Sequence, residues 1–293
     1  MSVGRHLLTQ DGSYTFYSGT FGESYHTRTG AKTEAFEKFV NTTRIRTVAL
    51  TGTVALLDVC YGLGYNTAAA VETIWQINPH CQIQLYGLEL DPTVPQAATK
   101  LKTHSEWPKP IQKLLLDLAW KGSAWSDRLQ AELLIGDARA TIQSLLARSF
   151  QADAIFLDPF SPQRCPQLWT ADFFAQVVRC LKPMGTLATY SRSAAVRSAL
   201  RAVGLHLGTV PVVMTPRPLA HHWSQGTVAR WLAEDLIPLS TMELEHLQTR
   251  AGIVLRDPTL TGSAEEILAR QHQAQQVSSR ESTSSWRRRW KIQ

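Results

Sequence analysis

Four carboxylates in this chain each close an apolar run of the kind that forms a buried strand. Asp58 follows VALL (54–57), Glu89 follows QIQLYGL (82–88), Asp137 follows ELLIG (132–136) and Asp158 follows DAIFL (153–157). After the first of them come Gly62, Gly64 and Asn66, then a run of small residues that can open a helix. A glycine turn between strand and helix lets backbone N–H groups approach a bound nucleotide-like ligand, where a Cβ would obstruct it. A carboxylate at the end of the second strand takes both hydroxyls of a ribose. The third acid, with Ala138 beside it, is placed to accept from an adenine amino group. The glycines read C-Y-G-L-G from Cys60 rather than G-x-G-x-x-G, so the spacing fits S-adenosylmethionine better than a nicotinamide or flavin dinucleotide. Asp158 lies in LDPFSPQRCPQLW (157–169), where three prolines and the aromatic pair Phe160 and Trp169 stiffen a loop beyond a strand. A stiff loop holds a carboxylate and an apolar wall in place at low entropic cost, as a reaction site requires. Each acid also has a structural reading. Asp58 is equally a turn residue, Glu89 and Asp91 are helix-capping acids, Asp137 caps the helix after it, and 157–169 is a rigid connector.

The elements that must position these groups alternate. Strands are expected at Val54–Val59, Ile83–Leu88, Ala131–Ile135, Ala154–Leu157 and Thr186–Tyr190. Helical patterns fall between them, at Thr67–Ile77, Pro92–Leu101, Thr141–Arg148, Ala171–Leu181 and Ala194–Val203. This predicts an α/β fold with a mostly parallel, doubly wound sheet and helices on both faces, its ligands outside the carboxyl ends of the strands. Leu207–Met214 and Gly226–Trp231 read as a closing strand pair, with Pro216 and Pro218 in the loop between. Residues 1–50 read as an N-terminal extension with an edge hairpin at 11–18, packing on a catalytic domain over 51–235. Residues 103–130, with Trp107, Trp120 and Trp125, read as a helical insertion, either a lid or extra core. A helical extension is expected over 236–277 and a flexible basic tail over 278–293.

The chain of 293 residues, 44% hydrophobic and 18% charged, has the composition of a soluble globular protein. With neither a signal-peptide core nor an apolar span, the expectation is a cytoplasmic protein without a membrane partner. Cys60, Cys81, Cys165 and Cys180 form no CxxC pair and no Cys/His ligand spacing, so no metal site and no disulfide framework is expected. The net charge of +6 is concentrated at the end, where Arg280, Arg287, Arg288, Arg289 and Lys291 face only Glu281. With Trp286 and Trp290 interleaved, the tail suits phosphate contact with base stacking; it equally suits a solvated end. Arg164, Arg192, Arg197 and Arg201 lie near the proposed site face.

Six segments running in order resemble one family. They are GESYHTRTGA (22–31), LLDVCYGLGYN (56–66), LYGLELDP (85–92), LLIGDARATI (133–142), FLDPFSPQRCPQLW (156–169) and LKPMGTLATYSRSAAVRSALRAVG (181–204). The chain resembles the methyltransferase domain of the tRNA (5-methylaminomethyl-2-thiouridine) biosynthesis protein, the MnmC type, in its stand-alone form without the FAD-dependent oxidase domain. The resemblance implies a class I, Rossmann-like methyltransferase fold. It implies methyl transfer from S-adenosyl-L-methionine to the 5-aminomethyl nitrogen of the wobble uridine, with the anticodon region of tRNA as partner and no FAD, metal or obligate protein partner. By position, Asp58, Gly62, Gly64 and Asn66 then hold the methionine end of the cofactor, Glu89 its ribose, and Asp137 and Ala138 its adenine. Asp158 is the substrate-facing carboxylate, and Tyr25, His26, Phe160 and Trp169 line the acceptor side. Cys60 stands where the family has the first glycine of its loop, and Pro159 and Ser161 where it often has Gly and Ala. An aliphatic amine with a pKa of about 10 is mostly protonated at neutral pH, so Asp158 is expected to orient the ammonium and help discharge its proton. The competing readings are a polyamine aminopropyltransferase-like enzyme, a methyltransferase of another amine, and an RNA-binding scaffold on an inactive methyltransferase fold.

Overall fold

The structure, a computed structural model, describes residues 6–210 and 223–292. Pro216 and Pro218, and the end of the run expected as strand at 207–214, lie outside the described residues. A small antiparallel sheet comes first, from β1 (His6–Leu8), β2 (Tyr14–Ser18) and β3 (Glu23–Ser24). The main sheet holds β4 (Thr53–Val59), β5 (Gln82–Glu89), β6 (Ser123–Ser126), β7 (Leu129–Ile135), β8 (Ala152–Leu157), β9 (Leu181–Thr189), β10 (His206–Thr209) and β11 (Thr227–Arg230). Its order is β10-β11-β9-β8-β4-β5-β7-β6. The five strands from β9 to β7 pair in parallel; β11 and β6 run antiparallel to them, and β10, antiparallel to β11, runs in their direction at the edge. This is the class I, Rossmann-like methyltransferase order, with β6 as an additional edge.

The central strand explains why the sheet is covered on both sides. In β4, Val54 and Leu56 pack into one core while Ala55, Leu57 and Val59 pack into the other. A strand buried on both faces reads as a continuous apolar run, which is how it was legible. The first core is closed by α1 (Ala31–Glu34) with its π-helical continuation Ala35–Val40, α2 (Ile45–Ala49), α3 (Tyr65–Ile77), α4 (Thr93–Ala98) and α5 (Lys109–Lys121). The second is closed by α6 (Ala138–Ala147), α7 (Ala171–Val177) and α8 (Ala194–Ala202). The C-terminal part adds α9 (Thr241–Gln248), α10 (Ala264–Gln276) and α11 (Thr283–Arg289).

Two expectations need correction. Residues 103–130 are not a purely helical insertion, because Ser123–Ser126 turns back at Gly122 and pairs with β7. They form no lid. Trp107, Ile111, Leu114 and Leu118 fill the first core, and Trp120 and Trp125 are exposed on the far edge. The tail expected to be flexible over 278–293 is folded over its described residues, 278–292. Ser282 caps α11, and Trp286 is fully buried against His246, with ring centroids 4.3 Å apart. A Ser- and Arg-rich composition hides this, because one buried indole is enough to dock so short a helix.

Candidate active site

A cavity of about 480 Å³ opens at the carboxyl ends of β4, β5, β8 and β9. That volume lies in the range of small-molecule sites. Cys60, Gly62, Glu89, Asp158 and Tyr190 line it from the sheet, and residues between Tyr17 and Thr27, with Glu34, close it from the N-terminal side.

The first strand end is a rigid floor. Asp58 is fully buried, accepts from the Thr67 hydroxyl at 2.7 Å and ties β4 to the start of α3. Burial pushes its carboxyl up to about 7, Glu89 adds to the rise, and the Thr67 bond opposes it. Asp58 does not reach the cavity wall. The backbone N–H groups of Cys60 and Tyr61 both donate to the Leu88 carbonyl, at 3.0 and 2.9 Å. Cys60 takes a left-handed φ of 69°, the conformation a glycine supplies without cost. An L-residue in this conformation costs about 1–2 kcal/mol relative to glycine. Gly64 has φ 81°, and a Cβ there would meet the Tyr61 hydroxyl at 2.6 Å. Its part is close packing under the floor, not contact with the cavity.

Glu89 is the group the floor delivers. The Gly62 N–H donates to one carboxylate oxygen at 2.8 Å and the Asp91 N–H to the other at 2.9 Å. Burial pushes this carboxyl above its ordinary range, and the backbone donors hold it back. The oriented carboxylate faces the cavity beside Leu90 and Asp91. Asp137 and Ala138 lie outside the wall. Asp137 caps α6 by accepting from the Arg139 N–H at 2.9 Å, and pairs with the Arg139 guanidinium at 2.7 Å. The same guanidinium reaches Asp257 at 2.8 Å and the Gly262 carbonyl at 2.9 Å. Burial alone would raise the Asp137 carboxyl, but the Arg139 bonds outweigh it and hold it low. The capping reading is therefore the one its contacts express.

Beyond β8 the chain is pinned at four successive residues. The Asp158 carboxylate accepts from the Asn66 amide at 2.8 Å. The Pro159 carbonyl accepts from the Tyr190 hydroxyl at 2.8 Å, and the Phe160 carbonyl from the Trp169 indole at 2.7 Å. Ser161 donates through both N–H and hydroxyl to Glu23 on β3, so its hydroxyl supplies a second bond to the hairpin. Asn66 and Trp169 stand behind the wall as positioning residues: Asn66 orients Asp158, and the fully buried Trp169 fixes Phe160 and packs edge-on against Tyr190. Phe160 itself lines the cavity, stacked on Phe21 at 4.4 Å and edge-on to Tyr25 at 4.8 Å. Asp158 touches the cavity yet is surrounded by protein. Burial pushes its carboxyl well above the ordinary range and the charge of Glu34 adds to that, with the Asn66 bond opposing.

Tyr25 and His26 enter from the other side. Burial raises the Tyr25 phenol, and the Glu89 and Asp91 charges raise it further. His26 contacts the Thr15 hydroxyl at 3.2 Å and the Tyr65 ring edge-on, and burial lowers it to about 4, so it is neutral at pH 7. Glu23, Glu34 and Tyr190 were not expected at the site. Glu34 pairs with Lys38 and accepts from the Thr27 N–H at 3.3 Å. It opens the π-helical turn, a geometry often found at functional sites. Its only sequence signal was an ordinary helix start.

Comparison with known proteins bears on this arrangement. A family of S-adenosyl-L-methionine-dependent methyltransferases matches residues 98–225. The crystal structure of MnmC2 from Aquifex aeolicus superposes with a TM-score of 0.77 at 31% identity, covering 92% of this chain and 84% of that one. The chain belongs to the MnmC2 family. A bifunctional tRNA 5-methylaminomethyl-2-thiouridine biosynthesis protein MnmC from Aromatoleum aromaticum is 32% identical over 71% of this chain and 33% of its own length. An uncharacterized protein from Methanocaldococcus jannaschii is 30% identical over 67% of this chain and 53% of its own. The chain thus spans about half, or less, of these curated relatives.

Proposed function

We propose that the chain transfers a methyl group from S-adenosyl-L-methionine to the 5-aminomethyl nitrogen of the wobble uridine of tRNA, giving 5-methylaminomethyl-(2-thio)uridine. The observation that carries this reading is that one cavity holds both Glu89, oriented by two backbone donors, and Asp158, oriented by Asn66. Glu89 suits the ribose diol, and Gly62 leaves the backbone open beside it. Leu90 offers an apolar contact for a base, with Asp91 beyond it. S-adenosyl-L-methionine, when bound, supplies an electrophilic methyl group on a sulfonium. Phe21, Tyr25 and Phe160 present aromatic walls to the cationic partners, which aromatic rings attract.

The acceptor amine enters as an ammonium and must lose a proton before its lone pair is available. Burial holds the Asp158 carboxyl above its ordinary range and an approaching ammonium favours its ionised form, so the carboxylate can orient the amine and take its proton at Oδ. The pinned loop fixes the nitrogen's direction of approach. Neutral His26 and the charge of Glu34 shape the field around it. No FAD-dependent or metal-dependent step enters this scheme, and the substrate amine is supplied by a separate reaction. A tRNA substrate implies action in the cytoplasm.

The test is nucleoside mass spectrometry of tRNA carrying 5-aminomethyl-uridine after incubation with the protein and S-adenosyl-L-methionine. Gain of one methyl on that nucleoside is expected; gain on another nucleoside, or only on a free polyamine, rejects the assignment. A thermal shift produced by decarboxylated S-adenosylmethionine but not by S-adenosyl-L-methionine would favour aminopropyl transfer instead.

A further inference from the structure

The basic C-terminal segment carries more organisation than its composition requires. Trp286 is fully buried, stacked on His246 of α9 and 5.7 Å from Trp223 by ring centroids. Arg192 lies over the Trp223 ring at 5.6 Å, and Arg192 follows Tyr190, a wall residue of the cavity, by two positions. A chain of contacts therefore runs from α11 through the aromatic stack to Arg192, two residues along the backbone from the cavity wall. On α11, Arg289 is neutralised by Glu245 and Glu281, and the Trp290 indole donates to Glu245 at 2.7 Å. Arg287 and Arg288 are exposed and, among the described residues, make no ion pair or side-chain hydrogen bond. Arginines that stabilise a fold are paired; two held out on a docked helix are available to a polyanion. Arg197, by contrast, is buried in a pair with Glu243 at 3.0 Å and is unavailable to RNA, which corrects its grouping with the surface arginines.

We infer that α11, latched by Trp286 against His246 and Trp223, is a fixed docking edge for the sugar–phosphate backbone of the RNA that flanks the nucleotide in the cavity. Arg287, Arg288 and Arg192 supply its phosphate contacts. The indole of Trp286 is consumed by the latch and does not stack on bases. The inference rests on the proposed tRNA substrate, and it adds a rigid surface of this chain to that reading.

The experiment is salt-dependent binding of a full-length tRNA transcript to the intact protein, measured by fluorescence anisotropy, together with methylation of tRNA and of a trinucleotide centred on 5-aminomethyl-uridine. R287E/R288E changes only exposed side chains. Its Kd for tRNA is expected to rise about tenfold, with the slope of log K against log[salt] reduced by about 2, since each lost phosphate contact removes close to one. KM for tRNA should rise in step, and turnover of the trinucleotide should stay unchanged. Trp286→Ala keeps every charge but releases the helix, and should weaken tRNA binding at least threefold. Unchanged affinity and slope in R287E/R288E overturn the inference, and so does unchanged affinity in Trp286→Ala, which would make the segment a loose charge. A wild-type protein that methylates the trinucleotide but binds no tRNA overturns the docking edge alone. A wild-type protein that methylates neither overturns the substrate reading and the edge with it.

Discussion

Glu89 and Asp158 stand at the ends of β5 and β8, central strands of the main sheet. Tyr25 and His26 hang from a three-stranded sheet whose first strand is exposed throughout. The strand-end wall inherits its precision from the core behind it. The hairpin wall meets that core only at its inner edge, through Phe16 and Tyr25, and is otherwise tied by point contacts such as Glu23 to Ser161 and the Phe21–Phe160 stack. A wall set by the core suits a cofactor common to a whole fold. A wall held by a few contacts can differ between relatives, and can select the acceptor.

That division can be broken at Asp158. Asp158→Asn should lower kcat/KM for methylation by about 10²–10⁴-fold, the range for a lost proton-accepting group, with cofactor affinity within a factor of about two. Equilibrium dialysis beside steady-state kinetics checks both halves. For wild type, the raised Asp158 carboxyl makes activity fall as acidification keeps it protonated, and the Asn variant should lack that limb. Glu89→Ala should act on the opposite side of the comparison. It strands the Gly62 and Asp91 N–H groups and removes the ribose acceptor, weakening cofactor binding about 100-fold by calorimetry. Glu23→Ala removes the tie between the walls, and KM for the acceptor should rise about tenfold while cofactor Kd holds. Equal loss of both affinities would mean that the walls are one unit.

A weaker effect concerns the latch on α11. Burial lowers His246 to about 4, Arg197 and Arg287 lower it further, and Glu243 opposes them. Its folded value lies below the usual 6.5, so the docked form binds fewer protons than the undocked one. The stabilisation is complete above about pH 6.5 and is lost as pH falls toward 4. Hydrogen exchange of the α11 amides should accelerate in that window before the β4 amides do. Smallest is the turn at Cys60. Val resists the left-handed conformation that Gly adopts freely, so Cys60→Val and Cys60→Gly should differ by about 1–2 kcal/mol in urea unfolding.

What could be read from the sequence follows the same line. β4 and β8 announced themselves as apolar runs, β5, β7 and the second half of β9 as apolar-rich stretches, and the acid after a strand is a local event. Glu89 and Asp158 were found that way. Asp137 carried the same signal, yet Arg139 claims it, and Arg139 is itself anchored by Asp257, 118 residues further on, which leaves no trace in a local pattern. Glu23 escaped for the same reason, with Ser161 lying 138 residues further on. Trp286 was misread because a serine- and arginine-rich stretch has no periodicity, although one indole decides its fate.

The guanidinium of Arg139 grips Asp137 at the end of the third parallel strand, and Asp257 and Gly262 far beyond the last one. Arg256 likewise pairs with Asp172 at the head of α7, and Leu255 bridges to Thr170. Cutting the gene at residue 235, just after the sheet ends at Arg230, would leave Arg139 with one of its two carboxylates and Asp172 without the Arg256 guanidinium. The compact piece that the strand pattern marks out is therefore tied by ion pairs and a backbone bridge to the segment that follows it. Anyone grafting this catalytic sheet onto another protein must carry the C-terminal fifth of the chain with it.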